Sequence, residues 1–222
     1  MRKSILTLIL AAAACLPMTA QNNSIVNNPD NKAYFGIRLG GEITCPGDVT
    51  SQGVGISAYK NGGGVELGGI YNMPVVANFY IEPGLKFYYN TYSAKKSIID
   101  AIDSDMSSAS VKKFGMRIPV TAGYHFDFTD NTKVYVFTGP ELEIGFSAKE
   151  KAKSKSGISM SENLYSEDGM KRVNLLWSIG AGISYQRYYF GVSGNLGMLN
   201  MIDQDNVSFH ESRVSFSLGY NF

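Results

Sequence analysis

The chain has 222 residues, a formal net charge of +1 and only 18% charged residues, against 24 glycines, 14 tyrosines and 12 phenylalanines. That near-neutral balance gives no argument for a nucleic-acid partner, and two cysteines, Cys15 and Cys45, are too few for a disulfide framework or a cysteine zinc site. Few charges with many glycines and aromatics fit a tightly filled barrel better than a soluble domain.

Met1-Arg2-Lys3 is followed by an apolar run from Ile5 to Leu16 and by Pro17-Met18-Thr19-Ala20. A short basic region, an apolar core and a small residue before the cut predict a signal peptide over 1–20, cleaved after Ala20. A lipoprotein cut before Cys15 is the poorer reading, because Ala12-Ala13-Ala14 lacks the expected leucine. The run is shorter than the roughly 20 residues of a spanning helix. Cleavage would remove Arg2 and Lys3, move the formal charge from +1 to −1 and leave Cys45 as the one cysteine. Residues 21–32 are polar and Asn-rich and read as a flexible N-terminal tail.

From 33 to 222 the chain alternates between apolar and small polar residues. Eight such runs lie at 33–45, 62–73, 77–92, 112–126, 132–148, 171–186, 188–200 and 209–222. Each is near the ~10 residues that a tilted membrane strand needs. Three connections are tight: Pro74-Val75-Val76, Asp127 to Asn131, and Gln186-Arg187. Four are longer: 46–61, 93–111, 149–170 and 201–208. Short turns at one rim and long loops at the other predict an eight-stranded antiparallel up-and-down transmembrane β-barrel in an outer membrane, with both termini periplasmic.

Alternation alone does not say which face points inward, since a soluble lipocalin-like barrel alternates too. The polar face decides. In the sixth run Asn174, Ser178, Gly180, Gly182 and Ser184 share one face, and in the seventh Gly191, Ser193, Asn195 and Gly197 do. From Asn174 to Ser184 and from Gly191 to Gly197 these faces carry no charge, whereas a solvent surface wants about a quarter to a third. These residues suit a filled polar lumen, so Val173, Trp177, Ile179, Phe190 and Leu196 meet lipid. Val214, Phe216, Leu218, Tyr220 and Phe222 give the last run the same greasy face. Aromatic residues collect at two levels: Phe35, Tyr71, Phe79, Phe126, Tyr185, Tyr188 and Phe222 near the turns, and Phe87, Tyr89, Phe114 and Phe146 toward the loops. Two belts are what lipid headgroups favour.

The inward faces of the first five runs carry a lumen charge network: Arg38, Glu42, Glu66, Glu82, Lys86, Arg117, Glu141 and Glu143. A hairpin closed at Pro74–Val76 places Glu66 opposite Lys86. One centred near Thr129 places Arg117 opposite Glu141, with Glu143 one diagonal step away. Buried charges must be paired, so these residues read as plugs that fix strand register. Tyr34, Tyr80, Tyr88, Tyr135, Phe137 and Tyr189 also point inward, and an eight-stranded interior is barely wide enough for side chains. No open channel is expected.

Two histidines bear on catalysis. His210-Glu211-Ser212 has the His-x-Ser spacing found in an outer-membrane lipid A deacylase family, and residues two apart on a strand share a face, so a His there can activate a Ser. Three residues without further support are outweighed by a surface His at a strand start. His125 reads as a hydrogen-bonded lumen residue. The acidic run Asp100 to Asp105 lacks the Gly and terminal Glu of a calcium loop. The basic run Lys149, Lys151, Lys153 and Lys155 suits lipopolysaccharide phosphates, although both runs read first as mobile, solvated loop. Neither a metal nor another cofactor is implied.

The segments Phe79-Tyr80-Ile81-Glu82-Pro83-Gly84-Leu85-Lys86-Phe87-Tyr88-Tyr89, Arg117-Ile118-Pro119-Val120, Val134-Tyr135-Val136-Phe137-Thr138-Gly139-Pro140 and Gly180-Ala181-Gly182-Ile183-Ser184-Tyr185 resemble the PorT-like outer-membrane barrels of Bacteroidota. The resemblance covers most of 33–222. It implies a Gram-negative envelope protein, in some members associated with type IX secretion or gliding, and it carries over no catalytic residue. The expected function is therefore a non-enzymatic, monomeric membrane platform. It would contact outer-membrane lipid, lipopolysaccharide and protein partners of the envelope or secretion machinery. A lipid A-modifying enzyme built on His210 and Ser212 is the alternative, and a small solute pore comes third.

Overall fold

The structure, a computed structural model, describes residues 32–102, 105–165, 169–202, 204 and 206–222. The signal peptide expected over 1–20, and all of the 21–32 tail except Lys32, lie outside the described residues. The strands are β1 (Tyr34–Pro46), β2 (Val49–Ser51), β3 (Val54–Ile56), β4 (Gly62–Val76), β5 (Phe79–Ser93), β6 (Met106–Thr129), β7 (Thr132–Ser154), β8 (Ser159–Asn163), β9 (Val173–Tyr185), β10 (Tyr188–Gly197), β11 (Val207–Ser208) and β12 (Glu211–Asn221). Among the described residues one helix, α1 (Lys96–Ile102), is present, and it follows β5. β1, β4, β5, β6, β7, β9, β10 and β12 pair antiparallel in that order, and β1 pairs with β12 to close the ring. The fold is an eight-stranded up-and-down barrel.

Its inside and outside are inverted relative to a soluble protein. Leu39, Leu67 and Leu218 on the outer face are 55%, 55% and 61% exposed, while Lys113 and Arg117 within are fully buried. The turn-rim aromatics Phe35, Phe79, Phe126 and Tyr185 and the loop-side Phe87, Tyr89, Phe114 and Phe146 all face outward. An apolar exterior at two aromatic-flanked levels is a lipid-facing wall.

The turns are tighter than the sequence suggests. β4 runs through Pro74 to Val76 and reverses at Ala77–Asn78, with a bulge between Pro74 and Val76. A proline cannot donate to the ladder and so marks a strand end, but here it sits beside the bulge and the strand continues. The β6–β7 turn closes at Asp130–Asn131 rather than over five residues. Both shifts move the register by two. Glu66 therefore lies opposite Tyr88, not Lys86, and Arg117 lies opposite Glu143, not Glu141. A slip of two keeps every side chain on its face, where a slip of one would have inverted the barrel.

The larger departure is at the loop rim. β6 and β7 extend well past their neighbours, with Met106 paired to Ser154, and β8 folds back on β7. β2, β3 and β11 form a small separate sheet, closed at Gln52–Gly53, which take φ of 50° and 82°. Positive φ at both central residues is what a tight two-residue hairpin turn requires. The expected mobile loops 93–111 and 149–170 are thus largely strand and helix. With the 201–209 connection and the loop-side ends of β5 and β7 they bury Tyr92, Ile99, Val111, Ala148, Tyr165, Met201 and Phe209, which makes an apolar cap above the barrel.

Candidate functional site

The lumen is organised in levels along the barrel axis. At mid-height toward the loop rim, four cations (Lys86, Lys113, Arg117 and Arg213) meet five carboxylates (Glu42, Glu66, Glu141, Glu143 and Glu211). Arg117 is the hub. Its Nε donates to Glu143 Oε2 at 2.9 Å, its Nη1 to Glu66 Oε2 at 3.0 Å and its Nη2 to Glu42 Oε1 at 3.1 Å. Its guanidinium also stacks 3.9 Å from the centre of the Tyr88 ring. A planar fork with five donors suits this position, where one group must satisfy several acids from different strands.

The other cations complete the layer. Lys86 Nζ donates to Glu66 Oε1 at 2.8 Å along the diagonal that the observed register leaves open. Lys113 Nζ reaches Glu211 Oε1 at 2.8 Å and Glu143 Oε1 at 3.3 Å. Arg213 bonds Glu141 and, at 3.3 Å, Glu143. Neutral donors finish the shell: Tyr88 Oη to Glu143 at 3.1 Å and Asn90 Nδ2 to Glu42 at 3.0 Å. Taking this many charges from water costs several kcal/mol per ion unless each is paired and hydrogen-bonded. Here each of the four cations contacts at least one acid.

Of the residues singled out from sequence, Glu42, Glu66, Lys86, Arg117, Glu141 and Glu143 meet in this layer. Arg38 and Glu82 do not. Arg38 lies 4.2 Å from the Tyr189 ring centre and donates to the Ile37 carbonyl, and Glu82 accepts from Asn72 Nδ2 at 2.9 Å. Sequence reasoning missed Lys113, Glu211 and Arg213. The signal was present: all three have the inward parity of Arg117 and Ser215.

Toward the turn rim the lumen becomes aromatic. Tyr80, Tyr135 and Tyr189 stack edge to face, with ring centres 5.8 Å and 5.9 Å apart. Gly182 permits this, because a Cβ there would strike the Tyr189 ring, and Gly180 does the same for Phe137. A void of about 50 Å³ separates this layer from the ion network. Below it a cavity of about 250 Å³ opens at the turn rim, lined by Tyr34, Asn72, His125, Tyr135, Ser184 and Asn221 among others. His125 is held there by Asp127, with Nδ1 at 3.1 Å from Oδ1.

The cap closes the opposite mouth. Tyr59 packs edge-on against Tyr92 at 5.3 Å and tilted against Phe209 at 5.8 Å. Tyr165 descends onto the wall at Gly145, where any side chain would collide with its ring. Burial raises the Tyr59 and Tyr165 phenols above their ordinary range, so both are neutral hydrogen-bonding groups.

His210 and Ser212 do not form a dyad. His210 is exposed, Ser212 Oγ accepts from the Gly197 amide at 3.1 Å, and no hydrogen bond joins the two among the described residues. Residues 96–102 of the second long loop are helical, and Asp103 and Ser104 of its acidic run lie outside the described residues. No cluster of three or more His, Cys, Asp or Glu suited to a metal is present among the described residues.

A family described as outer membrane protein beta-barrel domain matches residues 19–203. No curated protein matches the sequence. Similar solved structures include Ail of Yersinia pestis in complex with the heparin analogue sucrose octasulfate (17% identity, 86% of this chain and 99% of that one, TM-score 0.41). Neisserial surface protein A is 12% identical, covering 85% and 97%, with a TM-score of 0.44. OprG of Pseudomonas aeruginosa is 13% identical, covering 86% and 96%, with a TM-score of 0.46.

Proposed function

This chain belongs to the outer membrane protein beta-barrel domain family, and from that premise we propose that it is a non-enzymatic platform which holds a folded cap at the cell surface. The observation that carries this reading is the way the lumen is occupied. An aromatic layer, a charged layer and an apolar cap follow one another along the axis. Such an interior is built to be stable rather than to pass solute. What the barrel then offers is its two ends. The short turns and both ends of the barrel chain share one rim, which we assign to the periplasm, and the cap projects from the other. Envelope partners dock at these ends, and a PorT-like, secretion-associated role would place the partner at the periplasmic turns. Purified protein in planar bilayers should show no sustained conductance. Stable, uniform channels would overturn the platform in favour of a pore. Lipid A should keep its acylation in strains carrying His210→Ala or Ser212→Ala, and a change in its mass spectrum would restore the enzyme reading.

A further inference from the structure

The β6–β7 hairpin carries a one-sided basic ladder. Up to Gly145 the odd-numbered residues of β7 face the lumen, as Glu141 and Glu143 do. The bulge at Phe114/Gly115, where Gly115 pairs with Gly145 but Phe114 with Ser147, reverses that parity. Beyond it Ala148 is fully buried against the cap, and Lys149, Lys151, Lys153 and Lys155 are exposed on the outer side. Lys112 lies directly opposite Lys149. The adjoining positions are hydroxyls: Ser110 and Ser161 flank Lys151, and Ser159 flanks Lys153. Glu150 and Glu162 pair with each other on the other face. No carboxylate pairs with Lys112, Lys149, Lys151 or Lys153 among the described residues.

An ordinary solvated sheet face intersperses both signs, and like charges directly opposite one another destabilise a strand pair. A face of ammonium and hydroxyl donors is therefore one that expects an anion, for which lysine acts as a point-charge phosphate binder. Its height says which anion. Phe114 and Phe146, whose rings meet at 5.8 Å, mark the top of the lipid-facing belt. Lys112 follows two residues above Phe114 on the same face, roughly 7 Å along the strand. The polar headgroup layer starts at the hydrocarbon edge and is about 5–8 Å thick per leaflet, so Lys112 and the facing Lys149 stand at its outer boundary, within reach of headgroup phosphates. The ladder is continuous with the lipid-facing wall, so its occupant is the lipid already packed there.

We propose that Lys112, Lys149, Lys151 and Lys153 bind the phosphate groups of outer-leaflet lipid A and anchor the hairpin to the membrane surface. The site rests on the outward orientation of the loop rim given above. The test uses the folded barrel in detergent micelles, with lipid A retention read by native mass spectrometry. Replacing Lys149, Lys151 and Lys153 together by serine should weaken binding of diphosphoryl lipid A on the order of a hundredfold, given the attraction that each lysine contributes near an anionic surface. Enzymatic removal of the phosphates should weaken wild-type binding to the same extent. Because these side chains are exposed, the heat-induced gel shift should match wild type, which confirms a folded variant. Equal retention by the triple variant, or equal binding of dephosphorylated lipid A, would overturn the site. So would heparin displacing lipid A through the same lysines at equal concentration, since the surface would then belong to a soluble polyanion. Orientation is read separately. A Ser156→Cys, Cys45→Ser chain on whole cells should react with a membrane-impermeant maleimide. Failure to label removes the platform orientation, and with it the location of the lipid; labelling together with failed lipid A binding removes the lipid site alone.

Discussion

Arg117 and Phe209 are both removed from water, one 0% and the other 1% exposed, in neighbouring parts of the same molecule. Arg117 belongs to the waist, where the barrel wall turns its apolar face to lipid and leaves the interior to polar groups. Phe209 belongs to the cap, which stands outside the membrane and folds as soluble proteins do, with its apolar residues inside. The waist gains little from the hydrophobic effect, because leucines such as Leu39 and Leu218 remain outward in lipid. Its interior depends on completeness: each acid needs a cation or a donor, and removal of one partner strands the rest. The cap depends on contact area, so damage to it is graded and local. The two regions meet at Lys113, whose ammonium joins Glu143 and Glu211 while Ala148, its partner on β7, lies under the cap.

If that contrast is right, the largest effect comes from reversing the hub. Arg117→Glu would face Glu42, Glu66 and Glu143 with a fourth acid. Losing one partner of a buried pair costs about 3–5 kcal/mol, and reversal should abolish the heat-resistant folded band. Adding Glu143→Arg should restore part of it, and should do so better than Glu141→Lys, because Glu143 is the residue opposite. Normal heat resistance in the single variant would mean that the waist does not hold the barrel.

Tyr88→Phe probes the same layer more gently. It removes one hydrogen bond to a charged acceptor and leaves the ring under Arg117. A loss of about 1.5–3 kcal/mol is expected in urea unfolding from micelles, and an unchanged midpoint would show that neutral donors are dispensable there.

The smallest expected effect lies outside the membrane, at the Glu150–Glu162 pair. Burial, and then the facing Glu162, raise the Glu150 carboxyl above its ordinary range. A carboxyl raised in the folded state favours pairing of β7 with β8 most at low pH, and that contribution is lost as pH rises through the elevated range. Glu162→Gln should therefore slow amide exchange over 159–163 by a few-fold at pH 7 and leave it unchanged at pH 4. An equal effect at both pH values would sever the link to Glu150.

Much of the barrel is legible in the sequence because strand periodicity is local: Val214 to Phe222 alternate whatever the rest of the chain does. Six of the waist charges follow from the same parity, and Lys113, Glu211 and Arg213 were equally readable. Register was not, because it depends on where Pro74 and Asp127 let the strands turn, and both positions look like ends. The cap was hidden for a different reason. Its core joins Tyr92 at the end of β5 to Ile99 and Val111, to Tyr165, and to Met201 and Phe209 from three separate loops, so no single segment shows a period. The lysine ladder was visible as a charge run, but its direction was set by a bulge that leaves no mark in composition.

The independence of the two cores is tested most directly by hydrogen exchange of Phe209→Ala in nanodiscs, resolved by segment. A Phe-to-Ala change in a packed core costs about 3–5 kcal/mol. Exchange should accelerate across 92–102 and 199–209, while the amides of β9, β10 and β12 within the barrel stay as protected as in wild type. Acceleration of those barrel amides in step with the cap would contradict the account, because waist and cap would then be one cooperative core.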